Sequence, residues 1–288
     1  MKHQHLLQVG PVAFRIGSEW RQPIEALRSL YEGYPSPAGL CDFTVRLEAE
    51  TPWRRWLRPS VAIRGDYVLP DAAPLALQHG FLAAEMGMNL QMALGQKHFL
   101  LLHASTVERD GKALLMTGLS GSGKSTLSAV LGERGWRFMG DEFALLDVET
   151  GLLHPFPRAV SLKNQAVYVL EELVPGERFG PVLRATPKGT IRHLRPRAEA
   201  IARMGEAARP ALILFPRFGV DLQPEVRPVG SAEVFVRLTQ ASTNYVALGE
   251  PAFTSLTRLV TSVPSHAIDY HDTETAIELI ERLWSAAA

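Results

Sequence analysis

Gly118-Leu119-Ser120-Gly121-Ser122-Gly123-Lys124-Ser125 decides the fold, because it satisfies G-x-x-x-x-G-K-[ST] at every fixed position. Its surroundings have the required form. Residues 113–117 are an apolar strand candidate leading into the motif, and residues 125–134 read as a helix stopped by Gly135. Each residue type has a chemical reason. Glycines let backbone N–H groups wrap a phosphate chain, the helix N-terminus adds a favourable dipole, Lys124 brings a cation and Ser125 a hydroxyl that can ligate Mg²⁺. Thr126, in the first turn of the helix, completes an expected nucleotide-binding set of 118–126. A glycine-rich turn arising by chance would not carry strand, motif and helix in register.

Such a loop does not by itself separate kinases from GTPases, motor ATPases or nucleotide binders, so the next acidic site matters. Residues 136–140 form a second strand candidate ending in Asp141-Glu142, seventeen and eighteen residues after Lys124. One helix and one short strand fill that interval. Both carboxylates are therefore expected at the C-terminal end of a strand near the phosphate loop, where ligands bind in α/β sheets. One carboxylate could hold Mg²⁺, directly or through water, and the other could accept a proton from an incoming hydroxyl; a solvated acidic turn is the structural alternative. His103 ends the apolar run 99–102, fifteen residues before Gly118. Taken alone it reads as an ordinary structural histidine.

The rest of the chain frames this site. At 288 residues it can bury a substantial core, and the text divides into a small α+β domain over 1–97 and a nucleotide-binding α/β domain over 98–288. In the first part, the alternation beginning at Phe43 predicts a strand, 22–31 a helix, and 75–94 a long amphipathic helix with Leu77, Phe81, Met86, Leu90 and Leu94 on one stripe. Beyond residue 98, 143–147 and 152–156 flank the turn Glu149-Thr150-Gly151 as a hairpin, so a mixed sheet is expected. Residues 211–215 predict a buried strand, with helices over 232–240 and 273–284. The stretch 175–210 is rich in Pro, Gly and charge, with six Lys/Arg against two Glu between Pro175 and Ala200, and reads as a mobile loop.

Lys+Arg and Asp+Glu balance at 30 each, which gives no electrostatic footprint for a nucleic acid or an anionic membrane. The single cysteine, Cys41, excludes an internal disulfide framework and a thiolate metal cluster. With no signal-like N-terminus and no apolar run of membrane-spanning length, the expectation is a cytoplasmic protein.

His103-Ala-Ser, the run from Gly111 to Ser125, Arg134-Gly135 and Gly140-Asp-Glu resemble the catalytic domain of the HPr kinase/phosphorylase family, in particular its divergent branch of HPr kinase-related kinases. The match covers about forty residues. The resemblance implies a P-loop kinase domain with a mixed sheet, like that of HPr kinase and phosphoenolpyruvate carboxykinase. It also implies transfer of the γ-phosphoryl group of ATP, with Mg²⁺, to a serine or similar hydroxyl, and an active site of His103, Lys124, Asp141 and Glu142. Glu142 stands where the family has the second Asp of a pair and would take the proton, while Ser125 and Asp141 would serve the metal. Where the family has a magnesium-binding glutamate, the comparable stretch Ser161-Leu-Lys-Asn164 has no acid. The family's catalytic arginine is not placed by spacing; Lys188, Arg192 and Arg195 are the candidates. By analogy a homo-oligomer is expected. The loop also resembles that of ATP-dependent phosphoenolpyruvate carboxykinase, but those enzymes need a much larger chain.

The leading expectation is thus an ATP-dependent serine-type kinase acting on a protein, peptide or small-molecule hydroxyl. The alternative is an ATP-binding regulatory or assembly protein that transfers no phosphate to an acceptor.

Overall fold

The computed structural model describes residues 1–186 and 188–287. The first part of the chain builds a five-stranded sheet in sequential order from β1 (His3–Val9), β2 (Val12–Ser18), β3 (Phe43–Ala49), β4 (Ser60–Gly65) and β5 (Leu75–Ala76). Helix α1 (Arg21–Leu30) links β2 to β3, which run parallel as a crossover demands; the other neighbours are antiparallel. Helix α2 (Gly80–Gly95) packs on β3 and β4.

The expected helix over 75–94 needs correction. Leu75 and Ala76 are the edge strand β5, residues 77–79 are a 3-10 turn, and the α-helix begins at Gly80. Met86 and Leu94, placed on the buried stripe, are each 45% exposed. The buried face instead carries Ala84, Gly87, Met88 and Met92, because small residues let the helix settle closely on the sheet: a Cβ on Gly87 would meet Val45 Cγ1 at 2.5 Å.

From residue 99 onward a six-stranded mixed sheet forms the second centre. Its order is β16-β17-β15-β8-β7-β9, with β7 (Ala104–Arg109), β8 (Lys112–Thr117), β9 (Arg137–Gly140), β15 (Arg209–Phe218), β16 (Glu225–Pro228) and β17 (Ser265–Tyr270). Strands β8, β15 and β17 are mutually parallel through β15; β7 is antiparallel to both β8 and β9. Two reversals restore direction, so β9 runs the same way as β8. Helices α3 (Lys124–Glu133) and α9 (Thr273–Ala287) share one hydrophobic cluster with this sheet. Helices α6 (Ser231–Ala241) and α8 (Glu250–Ser262) share another, and α7 (Tyr245–Leu248) lies between them in sequence. The predicted hairpin is present as β10 (Ala144–Asp147) with β11 (Leu153–His154), but it pairs with β6 (Phe99–Leu102) in a separate three-stranded sheet rather than extending the main one.

The basic stretch is not a loose loop. It folds into β13 (Leu183–Thr186), β14 (Gly189–Leu194) and α5 (Ala198–Ala202), and β14 pairs with β12 (Val160–Lys163), which leads into α4 (Gln165–Leu173). Pro187 lies outside the described residues. Three of the six basic residues between Pro175 and Ala200 are held in ion pairs: Arg178 donates to Glu133 at 2.7 Å, Arg192 to Glu171, and Arg195 to Glu32 at 2.9 Å.

Both halves contribute to one core. The cluster around Leu7, Phe14, Val45 and Met88 includes Leu101, Phe143, Leu145 and Phe156. A buried polar knot crosses the same boundary. Arg158 donates to the carboxylate of Glu85, to its carbonyl at 3.1 Å and to Asn89, while the Tyr31 hydroxyl donates to Glu85 at 3.2 Å. Both charged side chains are 5% exposed, so removing one leaves the other charged and dry. Arg158→Met is therefore expected to lower unfolding stability by about 3–5 kcal/mol, and Glu85→Gln in the same chain to recover part of it. Denaturant midpoints of the single and double variants check this; a loss under about 1 kcal/mol for Arg158→Met would refute it.

Candidate active site

Because β9 runs with β8 and β7 runs against both, the start of β7 and the ends of β8, β9, β15 and β17 meet at one edge of the main sheet. At that edge lies a cleft of about 300 Å³, lined by His103, Ser120, Gly121, Gly123, Lys124, Ser125, Thr126, Asp141 and Glu142 from the expected set. Gly118, Leu119 and Ser122 shape the loop behind it. The separation of Asp141-Glu142 from the loop is bridged by one intervening strand, β7, rather than by direct pairing of β9 with β8.

The loop takes its form from backbone conformations that favour glycine: Gly118, Gly121 and Gly123 have φ of +154°, +84° and +95°. Gly123 is required twice over, since a Cβ there would fall 1.8 Å from the Tyr270 hydroxyl. That hydroxyl donates to the Ser122 carbonyl at 2.9 Å, and burial raises its pKa. Tyr270, the last residue of β17, thus latches the loop from a distant part of the chain. Lys124, buried to 7% exposure, donates through Nζ to the carbonyls of Gly118 at 2.8 Å and Leu119 at 3.0 Å. Burial lowers its pKa, with the charges of Asp141 and Glu142 opposing the shift.

Asp141 is the electrostatic centre. Its Oδ1 accepts from the Ser105 hydroxyl and, at 3.1 Å, from the Ser125 hydroxyl. Its Oδ2 is buried with no hydrogen-bond partner among the described residues. Burial, followed by the neighbouring charge of Glu142, raises its pKa. A carboxylate oxygen left bare beside a serine hydroxyl fits a small hard cation, because a buried charge without a partner is costly. Among the described residues no group of three or more His, Cys, Asp or Glu could hold a metal alone. A cation here would depend on phosphate and water oxygens for its remaining ligands, as Mg²⁺ characteristically does.

Glu142 has φ +72°, a left-handed conformation that an ordinary residue adopts at a cost of order 1 kcal/mol or more. Its carbonyl lies 3.1 Å from His103 Nδ1, and its carboxylate Oε2 3.6 Å from the same nitrogen. A carbonyl only accepts, so Nδ1 carries the proton of this bond and Nε2 of a neutral His103 is left as an acceptor. The histidine backbone is pinned from two sides. Its N–H donates to Ala241 at 2.7 Å, and its carbonyl accepts from the Thr117 hydroxyl at 3.0 Å.

The arginine candidates are corrected by the same geometry. Arg192 and Arg195 are ion-paired as described above, and neither they nor Lys188 lines the cleft. Lys163 and Asn164, from the stretch noted in the sequence only for its missing acid, line it, as do Phe218 and Tyr270, which the sequence did not single out, while Ser105 supports Asp141. The ends of β15 and β17 were the available signal for Phe218 and Tyr270, since parallel strands deliver ligand contacts at their C-terminal ends.

No protein-family model matches the chain, and no curated protein matches it. Among solved structures it is similar to the Hpr(Ser) kinase/phosphatase from Coxiella burnetii, at 18% identity over 64% of this chain and 87% of that one, with a TM-score of 0.29. A likeness of that order carries no functional weight. Among the described residues no helix is long and apolar enough to cross a membrane.

Asp141 also makes a testable statement about stability. A carboxyl whose folded pKa lies above its ordinary 3.8 contributes most below that value, and the contribution is lost as pH rises through the folded pKa. At neutral pH its ionised form therefore opposes folding. Asp141→Asn should raise the thermal midpoint of metal-free protein at pH 7, with the gain shrinking toward pH 4, and should abolish any midpoint shift caused by Mg²⁺. Thermal unfolding across pH decides; a lowered midpoint at pH 7 would reverse the assignment.

Proposed function

We propose that the protein is an ATP-dependent phosphotransferase that moves the γ-phosphoryl group to a hydroxyl of a protein, peptide or small molecule. The observation that carries this reading is the convergence, in one cleft, of a phosphate loop with a carboxylate that has a bare buried oxygen and a second carboxylate held beside a histidine. The loop N–H groups and Lys124 would hold the β- and γ-phosphates, with Lys124 exchanging its loop carbonyls for phosphate oxygens. Ser125 and Asp141 would hold Mg²⁺, which supplies charge neutralisation on the phosphates when bound.

The transfer itself balances simply. A bond forms between the acceptor oxygen and the γ-phosphorus, the bond from that phosphorus to the β,γ-bridging oxygen breaks, and its electron pair leaves with ADP. The acceptor proton passes to Glu142. A serine hydroxyl is far less acidic than a carboxylic acid of pKa about 4.3, so this proton moves late, in a loose transition state. His103, through its contact with Glu142, orients the base. Acceptor recognition by residues 1–97, which share a core with the rest of the chain, belongs to the same proposal, as do a cytoplasmic location and assembly into a homo-oligomer.

A second reading, an ATP-controlled regulatory protein without an acceptor, is favoured by one observation: the end of β12 brings Lys163 and Asn164 rather than an acid to the cleft. The two readings part on product formation. Incubation with labelled ATP and cell extract should yield a labelled acceptor. Glu142→Gln should then keep ATP affinity while slowing single-turnover transfer by roughly 10²-fold or more, and Lys124→Ala should weaken the thermal stabilisation given by Mg-ATP. Transfer by Glu142→Gln at the wild-type rate would remove Glu142 as the base; absence of any labelled acceptor would leave the regulatory reading.

A further inference from the structure

Strand β12 alternates strictly. Val160 and Leu162 are buried in the core, while Ser161 and Lys163 take the other face, and both line the cleft. Lys163 is the strand's last residue. Asn164, at φ +50°, then turns the chain into α4. The Asn164 side chain accepts from the Thr190 N–H at 3.2 Å and does not cap the helix, so Gln165 and Ala166, which also line the cleft, open α4 with no side-chain acceptor on their N–H groups.

Among the described residues Lys163 has no ion-pair partner, in contrast with the nearby arginines, which are tied to Glu133, Glu171 and Glu32. Lys124 lies within its electrostatic reach, and the two cations share one cleft. Asp141 and Glu142 share the cleft and their charges act on Lys124, but Lys163 has no carboxylate paired to it among the described residues, so a ligand carrying several negative charges is favoured beside it. Among the described residues the arginine candidates do not line this cleft, so Lys163 is the cationic side chain that joins the loop lysine in it.

We propose that Lys163 is a catalytic residue of the transfer site: its ammonium contacts the terminal phosphoryl group of a nucleoside triphosphate and makes the cleft prefer triphosphate to diphosphate. This rests on the phosphotransferase reading above and sharpens it. As the γ-phosphorus parts from the bridging oxygen and joins the acceptor oxygen, Lys163 stays with the transferring group and Lys124 with the diphosphate. The uncapped first turn of α4 lends its dipole to the same group.

The test uses the full chain, MgADP and the magnesium complex of a non-hydrolysable ATP analogue, with titration calorimetry as the readout. Lys163→Met should weaken the triphosphate analogue by roughly 10-fold or more while changing ADP affinity by less than about 2-fold, as expected for loss of one charge-assisted contact. Lys163→Arg should restore most of the discrimination. A merely structural lysine would move both nucleotides together. Equal loss for both, or no loss for either, while Lys124→Ala still weakens both, overturns the assignment of Lys163 and leaves the phosphate loop standing. Wild-type protein that binds neither nucleotide overturns the phosphate-loop reading and this proposal with it.

Discussion

One oxygen of Asp141 accepts two serine hydroxyls, and through that oxygen three elements are tied together. Ser105 belongs to β7, Ser125 to α3 and Asp141 to the turn after β9. The strands deliver these residues to a common edge, but pairing alone would leave the carboxylate free to swing into solvent. Two hydrogen bonds on one oxygen hold its plane and leave the second oxygen bare. The arrangement costs stability in the isolated chain, because a desolvated carboxylate opposes folding when ionised, and a ligand that neutralises it regains what is lost.

A similar economy runs through the polar interior. Glu108 of β7 and Arg137 of β9 form a buried pair across the two strands, and Glu85 and Arg158 form another where α2 meets the chain that follows Phe156. Buried pairs contribute little net stability compared with apolar residues of the same size, but they penalise misalignment severely. The first of the two ties β9 to β7, the strand that starts one residue after His103 and supplies Ser105. Their contribution is better understood as register than as adhesion.

Much of this was legible in the sequence. The glycine loop, its strand and helix, the Asp141-Glu142 turn and the helices over α1, α6 and α9 follow local rules: motif spacing, apolar alternation and terminators such as Gly135. What escaped depends on contacts far apart in the chain. The 75–94 stripe misplaced Met86 and Leu94 because α2 is apolar nearly all round, and small residues rather than large ones determine which side meets the sheet. The stretch 175–210 has the composition of a loop, but its arginines find partners at Glu32, Glu133 and Glu171, none of them foreseeable from spacing. Lys163 was hidden for the opposite reason, since a lysine ending a short strand looks like solvated surface until the fold shows which way the strand's alternation turns it.

The bond from Tyr270 to the Ser122 carbonyl spans 148 positions along the chain. A ribosome adding roughly 5–20 residues per second makes Ser122 some 7–30 seconds before Tyr270. Throughout that interval the nascent chain carries the glycine motif complete in sequence but not yet held in shape. The latched form of the loop therefore arrives late in biosynthesis, timed by the emergence of one phenol.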